Sequence, residues 1–215
     1  MGWPMMCGLD EAGRGSVMGP LVVGAVFAES DDGLREMGAR DSKKLTPKAR
    51  ARLYGEITSG YEWRVVVASA AEIDARMGLA SLNDIEADMF AEAASGSGAD
   101  VVYADCPDVN EDRFSRAMTA RLGVRTVAEH GADDSRPIVS AASIVAKVTR
   151  DRMMAEIWEE LGADAGSGYP GDARTMGFIE KWIREHGSAP EHARRSWEPV
   201  RRLTTLSKAS RLSDW

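Results

Sequence analysis

The sequence is poor in residues that crosslink a chain or anchor it in a membrane. Two cysteines, Cys7 and Cys106, occur among 215 residues. They form no paired cysteine and histidine spacing, which argues against a disulfide framework and against a structural zinc site. No apolar run approaches the roughly 20 residues that span a bilayer. The apolar start lacks a basic leading segment and a small-residue cleavage site, which predicts a first strand in a cytoplasmic protein instead of a signal peptide.

The chain also lacks an excess of positive charge. Its formal net charge is −7, whereas proteins that bind phosphate backbones are often basic. This balance argues against a nucleic-acid partner, but weakly. A catalytic centre built from carboxylates adds negative charge, and bound divalent cations would offset it. The position of basic residues relative to such a centre is therefore more informative than the total.

Short apolar strands alternate with helices along the chain, which indicates an α/β fold around a central sheet. The predicted strands are 3–9, 20–28, 62–69, 101–105 and 124–128. The predicted helices are 47–59, 70–77, 82–94, 110–122, 139–161 and 173–186, with mostly loop over 29–46 and at best short helices in the last 25 residues. A Gly-Ser-Ala-Pro break at 187–190 predicts a catalytic domain over 1–186 and a C-terminal helical extension and tail over 187–215, on or near the substrate groove.

Carboxylates stand at the ends of the predicted strands. Asp10 and Glu11 end the first strand, Asp105 ends the fourth, and Asp133 and Asp134 precede the long helix. Active-site residues gather at strand ends in open α/β sheets, and a buried charge needs a partner or a metal. Mg²⁺ and Mn²⁺ prefer oxygen ligands. Any single aspartate is more often a turn former or a helix cap, so the interpretation of this set as a metal site depends on the residues around it.

Glycines follow the first carboxylate pair directly, in the sequence Gly13-Arg14-Gly15. A tight turn between two strands is the simplest interpretation. A dinucleotide-binding loop is the competing one, and it fails because the turn leads into a strand and not into a helix.

Longer blocks surround these residues. They are GLDEAGRG at 8–15, MGPLV at 18–22, DSKKL at 41–45, YAD at 103–105 before Val109-Asn110, EHGAD at 129–133, SAASIVAKV at 140–148 with RDR at 150–152, and GSGYP at 166–170. In content and in order, these blocks resemble the signature of the ribonuclease HII family. The EHGAD block and the short chain are most similar to the archaeal form. Ser16 and Cys106 depart from the family pattern, and neither departure removes a functional group.

The resemblance implies a ribonuclease H-like fold, with a mixed five-stranded central sheet flanked by helices and extra C-terminal helices. It implies Mg²⁺ or Mn²⁺ as cofactor, two ions in the substrate complex, and four catalytic carboxylates that hold them. These map onto Asp10, Glu11, Asp105 and Asp133, with Asp134 as the alternative to Asp133.

Basic and polar residues at the same blocks are candidates for binding the substrate. Arg14, Lys43, Lys44 and Lys147 are placed to hold phosphates beside the cut. Ser143, Lys147 and Arg150 share one helix face, for which a solvated surface is the alternative interpretation. The resemblance assigns recognition of the ribonucleotide junction to Gly13, Arg14, Gly15 and Tyr169.

We therefore predict an endonuclease that hydrolyses the RNA strand of RNA/DNA hybrids. It would also cut 5′ of single ribonucleotides in duplex DNA, leaving 3′-hydroxyl and 5′-phosphate ends. One alternative is another nuclease or transposase of the same fold, which the Gly-Arg-Gly and Tyr169 blocks disfavour. The other is a non-catalytic nucleic-acid-binding subunit, which the complete set of carboxylates disfavours.

The C-terminal tail suggests a protein partner. Ala209, Leu212 and Trp215 have the one-four-seven spacing of a sliding-clamp-binding box, although the usual glutamine is missing and one aromatic residue is present. The alternative is an ordinary chain end. We expect the protein to be a monomer.

Overall fold

The computed structural model describes residues 4–39 and 45–213, with side chains described up to residue 209. The strands of these residues are β1 (Met6–Ala12), β2 (Leu21–Ala28), β3 (Glu62–Ala68), β4 (Val101–Asp105) and β5 (Arg125–Glu129). They form one sheet in the order β3-β2-β1-β4-β5. Strand β1 is antiparallel to β2 and parallel to β4, and β4 is parallel to β5. The predicted mixed five-stranded sheet is confirmed.

The helices of the described residues connect and flank these strands. They are α1 (Asp32–Glu36), α2 (Pro47–Gly60), α3 (Ala70–Met77), α4 (Leu82–Ala94), α5 (Glu111–Leu122), α6 (Ala132–Ser135), α7 (Pro137–Glu160), α8 (Ala173–His186) and α9 (Glu198–Ser213). Helix α2 begins where its sequence predicts, because the Thr46 side chain accepts a hydrogen bond from the Ala49 amide and Pro47 opens the helix. Among these residues, no helix combines the length and apolar character needed to cross a bilayer.

The segment 29–46, predicted as mostly loop, contains the five-residue helix α1, whose buried Leu34 contributes to a hydrophobic cluster. One expectation about the helices was wrong. Helix α9 has 16 residues, whereas at best short helices were predicted there. Its Val200 is buried and Leu203 packs against the same cluster. Packing stabilises such a helix even where its own sequence carries a weak amphipathic pattern.

The chain divides into two compact units. The sheet unit comprises Met1–Ala12, Val22–Val67 and Leu82–Thr149, and the helical unit comprises Gly13–Leu21, Ala68–Ser81 and Arg150–Trp215. Each unit buries its own hydrophobic cluster. Members in the sheet unit include Val26, Leu53, Ile57, Ile138 and Ile144, and members in the helical unit include Met18, Met154, Ile179, Ile183 and Val200. The domain boundary near residue 187 stays a prediction.

Helix α7 packs very closely on the sheet of its unit, because two strand residues there are glycines. A Cβ atom at Gly8 would lie 2.3 Å from the carbonyl oxygen of Ile138. At Gly24 it would lie 2.5 Å from that of Ala142. Real Cβ atoms do not approach backbone so closely, so a larger residue would push α7 away. This packing brings Ser143 of α7 towards the end of β1.

Candidate active site

The first carboxylate pair lies at the end of the central strand. Asp10 and Glu11 are the fifth and sixth of the seven residues of β1, and Asp10 is only 4% exposed. The parallel pairing of β1 with β4 joins Leu9 to Ala104. Asp10 and Asp105 are the next residues of the two strands and therefore lie side by side, as expected for residues near the carboxyl ends of neighbouring parallel strands.

The other two carboxylates are placed by the segment that follows β5. The amide of Ala132 donates a hydrogen bond to Oδ1 of Asp105 at 2.9 Å, which joins the start of α6 to the end of β4. Asp133 in α6 is 1% exposed, and its carbonyl oxygen accepts a hydrogen bond from the Ser140 hydroxyl. Asp134 is exposed. The structure therefore favours Asp133 over Asp134 as the fourth member of the set.

The charges of this set act on one another. Burial raises the pKa of Asp10 well above its usual value of 3.8, and the carboxylates of Glu11, Asp105 and Asp133 raise it further. A hydrogen bond from the Ser143 side chain acts in the opposite direction and favours the charged form. Carboxylates that disfavour one another's charge are stabilised by a cation.

The donor set fits a hard divalent cation. The oxygens of Asp10, Glu11, Asp105 and Asp133 are the ligand type that Mg²⁺ and Mn²⁺ prefer. In the part of the chain that the structure describes, no group of three or more acidic, histidine or cysteine side chains is arranged to hold a metal ion by itself. Mg²⁺ usually takes one or two carboxylates and completes its shell with water and substrate phosphates, so an open arrangement suits it.

We predict that Asp10→Asn stabilises the metal-free protein. The pKa of Asp10 is raised in the folded state, so its contribution to stability is full below its usual value of 3.8 and is lost as the pH rises towards the folded value. Asparagine removes this cost at neutral pH. Thermal melting at pH 7 with a chelator should give a higher Tm for the variant than for the wild type. A divalent cation should then raise the Tm of the wild type more than that of the variant. A lower Tm for the metal-free variant would contradict the electrostatic account.

Two further predicted residues lie on α7 in the same unit. Ser143 is almost fully buried and bonds to Asp10, so its contact in this structure is with the carboxylate and not with an open surface. Lys147, one turn later, is partly exposed. His130 was not predicted as a ligand, and its ring lies 2.7 Å from the Asp108 carbonyl oxygen and 2.9 Å from Glu111. These bonds give His130 a structural role.

The remaining described candidates belong to the helical unit. Gly13 has φ of +96°, and its carbonyl oxygen accepts bonds from the Ser16 amide and hydroxyl, which closes a tight turn. Gly15 is exposed at this turn. The amide of Val17 donates to the Gly168 carbonyl oxygen at 2.8 Å, which ties the turn to the loop that carries Tyr169. Lys43 and Lys44 lie outside the described residues.

Sequence reasoning misplaced one arginine and overlooked another. The helical spacing grouped Arg150 with Lys147 on an accessible face, but Arg150 is 1% exposed and bonds to backbone carbonyls. Spacing tells which residues share a face and not what covers that face. Arg194, fully buried, carried no signal at all, since arginines are rarely buried.

The family model for ribonuclease HII matches residues 7–200. The chain belongs to the ribonuclease HII family. It is 44% identical over 205 residues to a ribonuclease HII of Thermococcus kodakarensis, a match that covers 92% of this chain and 89% of the relative. Ribonuclease HII hydrolyses RNA within RNA/DNA hybrids, and the protein is accordingly an endoribonuclease.

Solved structures of ribonuclease HII share the fold. Ribonuclease H2 of Pyrococcus horikoshii has a TM-score of 0.88 at 37% identity, covering 95% of this chain and 99% of that one. Ribonuclease HII in its PCNA complex from Archaeoglobus fulgidus has a TM-score of 0.86 at 41% identity, covering 90% of this chain and 95% of that one. Bst-RNase HIII in complex with Mn²⁺ shows the same fold at 20% identity, with a TM-score of 0.78 and coverage of 97% and 71%. The predicted ribonuclease H fold is thereby confirmed.

Proposed function

We propose that this ribonuclease HII cuts duplex DNA on the 5′ side of a single embedded ribonucleotide, as well as cutting RNA/DNA hybrids. The observation that carries the proposal is the set of four carboxylates in which Asp10 near the end of β1, beside Glu11, interacts with Asp105 at the end of β4 and with Asp133 of α6, the helix that follows β5. Its products would have 3′-hydroxyl and 5′-phosphate ends. Removal of ribonucleotides left in DNA after replication, in the cytoplasm, is the role that this activity would serve.

The four carboxylates would hold two divalent cations together with the substrate phosphate. Bound Mg²⁺ or Mn²⁺ would activate the attacking water and stabilise the leaving oxygen. The protein supplies orientation: the hydrogen bond from Ser143 holds the Asp10 carboxylate, and the Ala132 amide holds that of Asp105. Groups fixed in this way need no reorganisation during the reaction. Lys147 and Arg14 are proposed to bind phosphates beside the cut.

The helical unit carries the groups proposed to recognise the ribonucleotide. A 2′-hydroxyl is the group by which a protein distinguishes RNA from DNA at one position. The exposed backbone at Gly15 offers amide and carbonyl groups to that hydroxyl, without a side chain to obstruct it. The half-buried Tyr169 ring presents an apolar face that suits a deoxyribose with no hydroxyl to desolvate. Together they would favour a ribonucleotide followed by a deoxyribonucleotide.

The decisive experiment offers the protein a DNA duplex with one ribonucleotide in one strand and maps the cut. We expect cleavage that requires Mg²⁺ or Mn²⁺ and leaves the ribonucleotide at the 5′ end of the downstream product. Cleavage of a continuous hybrid without cleavage of this duplex would contradict the proposed specificity. No cleavage of either duplex with either metal would favour a non-catalytic binding subunit.

We further infer that the C-terminal tail contacts a sliding clamp. The relative from A. fulgidus was solved in complex with PCNA. In this chain the backbone of α9 is helical through Ser213, and Ala209 is exposed. Trp215 and the side chain of Leu212 lie outside the described residues. Tryptophan is enriched among the residues that dominate the binding energy of protein interfaces, which is why Trp215 is the residue of the tail chosen for substitution.

A chain that ends at Leu206 is expected to lose most of its affinity for the clamp. The measurement is titration of the clamp with the full chain and with the shortened chain. Because the truncation also removes part of α9, Trp215→Ala in the full chain is the matched variant, and we expect it to weaken binding as well. Equal affinity of all three proteins would mean that the tail is an ordinary chain end.

A further inference from the structure

Two arginines of the helical unit are buried beneath the Gly-Arg-Gly turn. Arg150 is 1% exposed and Arg194 is 0% exposed, and they are the two largest fully buried side chains described. Burying a charged group is costly unless its donors are satisfied. The hydrogen-bond partners of the two guanidinium groups therefore show what each arginine holds in place.

Arg194 holds the turn from one side. Its Nε donates to the carbonyl oxygen of Gly19 at 3.2 Å, and its Nη1 donates to that of Arg14 at 2.9 Å. The guanidinium also lies over the Trp197 ring, 4.9 Å from its centre. Both ends of the Gly13–Gly19 segment are thereby fixed to one side chain.

Arg150 holds the same segment and the Tyr169 loop together. Its Nε and Nη2 donate to the carbonyl oxygens of Pro20 and Met18, each at 3.2 Å, and its Nη1 donates to that of Ser167 at 3.4 Å. Its guanidinium carbon lies 4.8 Å from the centre of the Tyr169 ring. A cation in this position is attracted to the face of the ring.

Glycines on both sides make room for Arg150. A Cβ atom at Gly13 would lie 2.3 Å from Nε of Arg150, and one at Gly168 would lie 3.1 Å from its Nη2. The positive φ of +96° at Gly13 favours glycine as well. From the sequence, the glycines of this turn are interpreted as allowing a ligand to approach the backbone closely. In the structure Gly13 also accommodates the guanidinium.

We propose that Arg150 is a positioning residue for substrate selection, because it fixes the Tyr169 ring relative to the Gly-Arg-Gly turn. The proposal rests on the proposed function, since it assigns Tyr169 and the turn to the ribonucleotide and the sugar that follows. The side-chain hydrogen bonds of Arg194 go to the turn and not to the loop that carries Tyr169. Arg150 therefore controls the discrimination between a single ribonucleotide in DNA and a continuous hybrid, whereas Arg194 controls activity on both.

The test compares Arg150→Met with wild type on two substrates, a duplex with one ribonucleotide and a continuous RNA/DNA hybrid. Misplacement of a positioned group by about 1 Å can cost on the order of 100-fold in rate. We expect the ratio of kcat/KM values, single ribonucleotide over hybrid, to fall about tenfold or more. A loss of folded protein lowers both rates by the same factor and leaves this ratio unchanged. Arg150→Lys, which keeps a cation near the ring, should recover part of the ratio.

Two controls separate positioning from general packing. Arg194→Met removes an equally buried arginine that bonds to the same turn, and it should lower both rates with little change in their ratio. Ile179→Ala weakens the hydrophobic cluster of the same unit and should lower Tm while preserving the ratio. In a Tyr169→Ala background, Arg150→Met should lower the ratio no further, since residues that act as a unit are not additive.

The outcomes distinguish this proposal from the proposed function. A wild-type enzyme that does not cut the single ribonucleotide would overturn the proposed function. A wild-type enzyme that cuts it, together with an Arg150→Met variant that keeps the wild-type ratio, would overturn the role of Arg150 alone. An equal fall of the ratio in Arg150→Met and Arg194→Met would also overturn it, because contact with Tyr169 would then be irrelevant.

Discussion

Asp10→Asn is expected to abolish cleavage with Mg²⁺ while substrate binding is largely retained. Asp10 is the most central carboxylate of the set, since it lies on the middle strand of the sheet and the charges of Glu11, Asp105 and Asp133 all act on it. Asparagine has nearly the same shape but carries no charge, so the fold is preserved and the cation site is weakened. Loss of a single preorganised electrostatic contact costs about 100-fold to 1,000-fold in kcat in other enzymes. Loss of Asp10 as a proposed metal ligand should reach at least the upper end of that range.

The measurement is single-turnover cleavage of an RNA/DNA hybrid, with binding followed separately without divalent cations. Asp134→Asn is the matched control, because Asp134 lies in the same short helix as Asp133 but is exposed. It should cut at close to the wild-type rate. Turnover by Asp10→Asn near that of the wild type would remove Asp10 from the catalytic set.

Tyr169→Ala is expected to impair cleavage at a single ribonucleotide much more than cleavage of a continuous hybrid. An aromatic side chain buries about 150–250 Å² in a full contact, and that contact is lost with alanine. On a hybrid the following sugar carries a hydroxyl, so the ring contributes less there. We expect the ratio of kcat/KM values to fall about tenfold or more, which corresponds to about 1.4 kcal/mol of lost contact.

Tyr169→Phe separates the ring from its hydroxyl. The phenylalanine ring can still lie over Arg150, where the tyrosine ring now lies 4.8 Å away, and present the same face to a sugar. The ratio of kcat/KM values, single ribonucleotide over hybrid, should stay near the wild-type ratio in Tyr169→Phe. An equal loss on both substrates in Tyr169→Ala would mean that the residue packs its loop and does not select the site.

The carboxylates could be placed from the sequence because short-range patterns determine where strands end. Asp10, Glu11 and Asp105 each end an apolar run, and the parallel pairing of β1 with β4 then brings them together. The position of Asp133 in the EHGAD block already favoured it over Asp134, and the burial of Asp133 agrees with that choice. Adjacent residues in a helix point in different directions, so the neighbouring Asp134 is exposed.

The buried arginines and α9 could not be predicted in the same way. An arginine in a polar stretch is expected to be exposed, and nothing in the sequence indicates that the carbonyls of the Gly13–Pro20 segment surround Arg150 and Arg194. Helix α9 has few apolar residues, so its length depends on contacts of Val200 and Leu203 with residues distant in the chain. Such contacts follow from tertiary packing, which local patterns do not encode.

The central position of β1 also bears on how the site behaves when the protein fluctuates. Native proteins open locally in a hierarchy, and helix ends exchange their amide hydrogens long before the middle of a sheet does. Strand β1 is hydrogen-bonded to β2 on one side and β4 on the other. Asp10 and Glu11 pair with Gly24 and Val23 of β2, and the residues directly before them pair with β4 as well. We therefore expect their backbone to be released only by large openings of the sheet, so that partial unfolding elsewhere would leave the first pair of carboxylates in position.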